Sequence, residues 1–229
     1  MIDFMVTKLK NIRAVGNRLI FTPEKYLASQ SLKPLSTKYG YDRGQPVDRY
    51  YIHDFINNNR DSVKGRCLEI VDNKYTRLFG GEKVTQSDVL DITPRKTTTI
   101  HGDLRNAPMI LSNYYDCLII TQTFNEIDDY ESAIKEVYRI LKPGGTLLVT
   151  LPTISPAWNL KIHLWRFTVD AAKYVFSKYF KEKVEAVGLG NKQSALAFWQ
   201  GFAVEDVEPN ILNFNDPAFP LIVGVRAVK

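Results

Sequence analysis

The stretch from Tyr115 to Leu151 constrains the fold most. An apolar run, Tyr115-Asp116-Cys117-Leu118-Ile119-Ile120-Thr121, is followed by a helical pattern from Tyr130 to Leu141. Ala133, Ile134, Val137, Ile140 and Leu141 share one face of that helix. Lys142-Pro143-Gly144-Gly145 stops it, and Thr146–Leu151 is a second apolar run. Two short apolar runs joined by an amphipathic helix pair as parallel strands, with the helix as crossover. The same alternation begins at Gly65. It predicts earlier strands over Cys67–Val71, Val84–Asp88 and Thr97–Gly102, the last ending at Asp103. After Leu151 it predicts a helix capped by Thr168 and running to Tyr179, a strand over Val184–Leu189, and a helix over Ser194–Val207. A final strand falls within Pro220–Lys229. Two late strands with a helix between them fit a reversed hairpin at the edge of a mostly parallel, seven-stranded sheet with helices on both faces.

The residues ahead of Gly65 differ in character. Phe4 to Phe21 is basic and apolar, and Ser29 to Pro46 is rich in turn formers. A helix follows Pro46, with Asp48 as its cap and Tyr51, Ile52, Phe55 and Ile56 on one face, and Asn57-Asn58-Asn59 ends it. The expected organisation is an arm and capping helix over residues 1–60 and a body over residues 61–229.

Composition narrows the class. With 45% hydrophobic and 24% charged residues, the 229-residue chain reads as a soluble globular protein. It has no run of 18 apolar residues, so no membrane span is expected. Met1-Ile2-Asp3-Phe4-Met5-Val6-Thr7-Lys8 lacks the pattern of a secretory signal, and a cytoplasmic location is expected. Cys67 and Cys117 fall in predicted buried strands and read as packed thiols in a reducing compartment. Without a Cys/His cluster at ligand spacing, no metal is expected. The positive charge is uneven: residues 1–66 hold 12 Lys/Arg against 6 Asp/Glu, the remainder 18 against 19. Such an excess is either a solvated face or an attraction to an anionic partner: a lipid surface, a sugar nucleotide or a charged glycan. Nucleic acid is not expected, because no basic helix or nucleic-acid motif is present.

The first strand delivers a polar loop, Glu69-Ile70-Val71-Asp72-Asn73-Lys74-Tyr75-Thr76. Open α/β sheets bind ligands at that end of the strand. Asp88 follows Glu69 by 19 residues, the distance at which a nucleoside-binding fold reads a ribose hydroxyl. The alternating positions where glycines would let backbone approach a ligand are Val71, Asn73 and Tyr75.

From Gly65 to Lys229 this order, and above all Tyr115–Ile120 with Leu141-Lys142-Pro143-Gly144-Gly145-Thr146-Leu147-Leu148-Val149, resembles the class I S-adenosylmethionine-dependent methyltransferases. The resemblance implies a Rossmann-like fold with S-adenosyl-L-methionine as cofactor. A narrower resemblance rests on Pro46-Val47-Asp48-Arg49-Tyr50-Tyr51-Ile52, on Asp72-Asn73-Lys74-Tyr75-Thr76 and on Trp165-Arg166-Phe167-Thr168. It points to a bacterial subgroup found with glycosyltransferases in surface-polysaccharide synthesis, and so to a saccharide or glycolipid acceptor and a possible glycosyltransferase partner. Val71 departs from both patterns. Carried over by position, Glu69 faces the cofactor's amino group, Asp72 and Asn73 line the turn, and Asp88 takes the ribose. Asp103 and the backbone of Leu104 hold adenine, and Gln122 flanks the sulfonium.

A hydroxyl acceptor gains from a general base beyond the fourth and fifth strands. His163, with Trp158, Trp165 and Arg166 around it, and Glu126 are the candidates. Arg43, Arg49 and Arg166 could clamp a phosphate or carboxylate, or pair with nearby Asp42 or Asp48. The alternative to an enzyme is a degenerate member acting as a binding or scaffold subunit. A nicotinamide-dependent oxidoreductase fits less well without a glycine-rich first loop.

Overall fold

The computed structural model of the protein describes residues 12–20, 22–28, 31–157 and 162–229. Trp158, expected near the acceptor, lies outside these. The chain forms two units. One comprises 1–51, 154–161 and 188–222, and the other 52–153, 162–187 and 223–229.

In chain order, α1 covers residues 12–20, α2 is Pro23–Ala28 and α3 is Val47–Asn58. Then come β1 (Gly65–Ile70), β2 (Val84–Asp91), β3 (Ile100–His101), β4 (Tyr115–Thr121), α4 (Tyr130–Ile140) and β5 (Leu141–Pro152). The chain continues through α5 (Val169–Phe180), β6 (Val184–Leu189), α6 (Lys192–Trp199), α7 (Pro209–Asn213) and β7 (Ile222–Val228). The strands form one sheet in the order β3-β2-β1-β4-β5-β7-β6. β3, β2, β1, β4 and β5 are parallel. β7 runs against its neighbours: the Lys229 N–H reaches the Gly145 carbonyl at the start of β5, and the Val228 N–H reaches Lys183 just ahead of β6. The mostly parallel sheet with its reversed C-terminal edge is the one the alternation predicts.

Its centre is apolar on both faces, as a sheet covered by helices requires. Leu68, Leu118, Ile120, Leu147 and Val149 pack with Ala133, Ile134 and Val137 of α4 and with Ala172 and Phe176 of α5. Asp129 caps α4 by accepting the Ser132 N–H, and Thr168 caps α5 by accepting the Ala171 N–H. Cys67 and Cys117 are register partners on β1 and β4, both buried and unoxidised.

The Leu141–Gly145 motif does more than stop a helix. β5 begins at Leu141, opposite Tyr115, and the pairing resumes at Thr146 opposite Cys117, so Lys142–Gly145 is looped out of the strand. A Cβ on Gly145 would meet the Lys142 carbonyl at 2.9 Å and the Tyr115 carbonyl at 3.1 Å. Asp116 secures this bulge. Its carboxylate accepts the Lys142 ammonium at 2.7 Å and the Arg66 N–H at 2.9 Å, which ties β5 to β1 through β4.

Several boundaries differ from expectation. β2 extends three residues beyond Asp88, to Asp91. β3 is reduced to Ile100–His101. The helix expected over Ser194–Val207 ends at Trp199, followed by Gly201 at φ +78° and a short turn at Val204–Asp206.

Candidate functional site

The carboxyl ends of β1, β2, β3 and β4 lie side by side in one unit and set out the candidate site. At the end of β1, the Asp72 N–H reaches back to the Ile70 carbonyl at 2.9 Å, and Val71 between them has φ +73°. This is a γ-turn of the rare, strained hand, on a β-branched residue. The turn is held by the Val71 N–H on the Leu90 carbonyl (3.1 Å) and by the Thr97 hydroxyl on the Val71 carbonyl (2.9 Å). Gln122, just past β4, has φ +49°, and its N–H bonds the Thr150 carbonyl at 2.8 Å. Two non-glycine residues in left-handed conformations therefore end the two central strands. Backbone strain of this kind persists only where surrounding structure enforces it, and it clusters at ligand sites. Val71→Gly is expected to stabilise the protein by about 1 kcal/mol, relief of strain outweighing the extra freedom of glycine when unfolded. A thermal melt checks this; a lower melting temperature would show that the Val71 side chain packs usefully.

Glu69 is placed differently from expectation. It is buried, and its carboxylate accepts the N–H groups of Tyr75 (3.2 Å) and Thr76. It holds the far side of the loop and does not point out at a ligand. Burial pushes its pKa from 4.5 up to about 7, against the hydrogen bonds from Thr76 and Tyr75 that favour the anion. A folded-state pKa above the unfolded one means that the native state holds the proton more tightly. Stability is therefore expected to fall as pH rises from about 4.5 to about 7, by roughly 3 kcal/mol at most. Denaturant melts across that window check the slope, which Glu69→Gln should flatten.

Asp72 and Asn73 follow Val71 in the loop. Asp72 accepts the Lys74 N–H at 3.0 Å, and the Asn73 amide donates to the Ser87 hydroxyl at 3.0 Å. Tyr75, where glycine was the alternative, is buried with its ring parallel to that of Phe79 (centroids 6.4 Å), which also carries His53 at 4.9 Å.

Asp88 lies within β2, opposite Leu68, and not at the strand's end. Its carboxylate accepts Gln86 Nε2 (2.6 Å), the Tyr115 hydroxyl (2.9 Å) and the Thr99 hydroxyl (3.2 Å). Burial, then the Asp88 charge, holds the Tyr115 hydroxyl well above its ordinary pKa. The strand-end carboxylate is Asp91, which sequence reasoning missed. It is buried, accepts the Thr93 N–H at 2.8 Å, and pairs with the half-exposed Arg95. The signal that could have found it is the sequence Val89-Leu90-Asp91: the apolar pair continues the strand past Asp88.

Asp103 follows β3. Hydrogen bonds from Arg105, at 2.6 to 3.1 Å, hold its carboxyl below the usual range, and Arg105 also reaches Asp128 at 2.6 Å. Leu104 beside it is buried. His101, on β3, faces the Ile92 carbonyl at 2.9 Å.

Beyond β4, a single turn at Phe124–Glu126 brings in the acceptor candidates. The Asn125 carbonyl accepts the N–H groups of Leu164 (2.8 Å) and Trp165 (3.2 Å), fixing that later segment beside Glu126. Asn125 Oδ1 is buried with no hydrogen-bond partner among the described residues. Trp165 donates its indole N–H to the Ile127 carbonyl at 2.8 Å and stands edge-on to Tyr130 at 5.2 Å. Arg166 is exposed and donates to the Trp165 carbonyl, and His163 is half-buried in the same segment.

The remaining predicted residues belong to the other unit. Arg43 is no free clamp: it is buried and forms a two-pronged pair with Asp206 at 2.7 and 2.8 Å, not with Asp42 or Asp48. Arg49 donates to the Tyr41 hydroxyl at 3.2 Å and lies 3.9 Å from Asp48. Burial raises the pKa of Asp48.

The site fits an adenosyl cofactor. Strand-end acceptors (Asp91, Asp103) suit hydroxyl and amino donors, the strained turns present backbone, and Asn125 Oδ1 awaits a donor. A methyltransferase domain family matches residues 74–149. The demethylmenaquinone methyltransferase of Staphylococcus epidermidis is 33% identical over 100 residues, 41% of this chain and 36% of that protein. The chain thus spans less than half the length of the curated relatives it matches. A SAM-dependent methyltransferase from Archaeoglobus fulgidus superposes with TM-score 0.56 at 12% identity, covering 79% of this chain and 94% of the other. A SAM-dependent methyltransferase from Thermotoga maritima, described as a possible histamine N-methyltransferase, gives 0.52 at 20% identity over 80% and 94%. The sheet therefore has the fold of the S-adenosylmethionine-dependent methyltransferases, and the segment that matches their domain family runs from the loop after β1 into β5.

Proposed function

We propose that this chain is an S-adenosylmethionine-dependent methyltransferase acting on a hydroxyl of a saccharide or glycolipid intermediate. The observation that carries the cofactor reading is the buried Asp91 at the end of β2, directly beside the strained turn at Val71. In this reading Asp91, in place of Asp88, takes the ribose hydroxyls. Asp103 and the Leu104 backbone hold the adenine edge, Gln122 and Asn125 lie toward the methionine end, and Glu69 keeps the loop in shape. The cofactor, when bound, supplies the methyl group and its leaving group. The chain's residues align the acceptor and keep water out. Glu126 or His163 takes the hydroxyl proton, and Trp165 and Arg166 hold the acceptor. The half-exposed Trp165 ring, braced by Tyr130, offers a flat apolar surface suited to a sugar face.

The S. epidermidis relative's name makes demethylmenaquinone the competing acceptor. Val71 favours a second reading, a degenerate subunit that binds or scaffolds a glycosyltransferase. Titration calorimetry with S-adenosylmethionine and S-adenosylhomocysteine separates these. Micromolar binding supports the enzyme, and labelled methyl transfer to glycan or quinone extracts then selects the acceptor. A folded sample that binds neither compound at millimolar concentration supports the scaffold.

A further inference from the structure

The first described helix is turned inside out. Over residues 12–20, the side chains of Asn17 and Arg18 face the protein: Asn17 donates its amide to the Asp42 carbonyl at 2.7 Å, and Arg18 donates to the Arg43 carbonyl. The Asn17 carbonyl in turn accepts Arg43 Nη1 at 3.3 Å. At about 100° per residue, Ile12, Val15 and Leu19 form one stripe opposite Asn17, and Ile20 lies about 100° round the helix from Leu19. These side chains are 61, 46, 73 and 65% exposed. A surface helix of a globular protein ordinarily shows the reverse arrangement, apolar face inward. Just beyond the helix, Leu27 and Leu32 are exposed as well.

The stretch of sequence that carries this face is basic. Residues 1–33 hold Lys8, Lys10, Arg13, Arg18, Lys25 and Lys33 against Asp3 and Glu24, and the chain's whole positive excess lies in its first 66 residues. Outward aliphatic side chains in a stretch whose exposed cations are Arg13, Lys25 and Lys33 suit the boundary of an anionic bilayer, where the aliphatics enter the acyl region and the cations meet head groups. Among the described residues no helix is long and apolar enough to cross a membrane.

We propose that the outward face of this helix, Ile12, Val15, Leu19 and Ile20 with Arg13 and the exposed Lys25 and Lys33 that follow, docks the protein onto the surface of an anionic phospholipid bilayer. The proposal stands independently of methyl transfer. It commits to lipid because a soluble anionic sugar would engage the cations and leave four aliphatic side chains in water.

The test is co-sedimentation of the full chain with vesicles of phosphatidylcholine alone and of phosphatidylcholine mixed with phosphatidylglycerol. Partitioning is expected to be at least about tenfold stronger onto the mixed vesicles, and to weaken as salt screens the charges. Leu19→Asp should reduce it about tenfold or more, because it places a carboxylate where an aliphatic entered the bilayer. Arg13→Glu should also reduce it, with the apolar stripe left intact. Both residues are exposed, so unchanged circular dichroism melts verify the fold. Equal partitioning onto both vesicle types, or full binding by Leu19→Asp, would overturn the proposal. So would a wild-type dimer that Leu19→Asp turns into a monomer without vesicles while wild type ignores lipid. That outcome would assign the face to a second copy of this chain.

Discussion

Asp91→Asn is expected to weaken S-adenosylmethionine binding about 100-fold while the protein stays folded. A carboxylate accepting two ribose hydroxyls makes charge-assisted hydrogen bonds worth roughly 1.5–3 kcal/mol each, and ~2.7 kcal/mol corresponds to that factor. The amide keeps the shape and can still accept the Thr93 N–H, so the turn after β2 survives. Asp88→Asn is the matched control. It loses charge from a carboxylate already occupied by Gln86, Tyr115 and Thr99, so affinity should change little while the melting temperature drops. Calorimetry on the two variants decides the assignment. If Asp88→Asn loses binding and Asp91→Asn keeps it, the ribose acceptor is the mid-strand residue and the role assigned to Asp91 fails.

Arg43→Ala is expected to cost about 3–5 kcal/mol of stability, because it strands a buried charge. Asp206 is 2% exposed, as is Arg43, and its remaining bond is from the Ala203 N–H at 2.9 Å. For a protein of this size the melting temperature should fall by roughly 10 °C. Replacing both partners by apolar residues of similar volume should restore much of the loss, since neither charge is then left alone. An Arg43→Ala protein that melts like wild type would make Arg43 an available anion clamp again. The asymmetry with Arg49 is informative: two arginines near one another in sequence are equal candidates, but only one is buried against a carboxylate.

The pairing also shows why some of the site could not be read from the chain. Asp206 lies 163 residues from Arg43, and no local pattern connects them. Asp42 and Asp48 were the plausible partners because proximity along the chain was the only proximity visible. Glu69 posed a similar problem. Its position at the end of an apolar run was correctly legible, but whether the carboxylate turned toward a ligand or toward the N–H groups of Tyr75 and Thr76 depended on how the loop closed.

The architecture was legible in the chain's own pattern. Alternating apolar runs and amphipathic helices permit little but a parallel sheet with crossovers, and the late rhythm of strand, helix and strand announced the reversed edge. Leu141–Gly145 was recognisable too, because Pro and paired Gly are demanded by backbone geometry, which is local. Where strands end and which polar groups meet depended instead on contacts between distant parts of the chain. β2 continued to Asp91 because β1 and β3 on either side supplied ladder partners as far as Leu90 and Asp91. A strand stops where its neighbours stop pairing with it. The outward apolar face of the first helix was likewise invisible from periodicity, which shows that a helix has two faces but not which one the rest of the chain will hold.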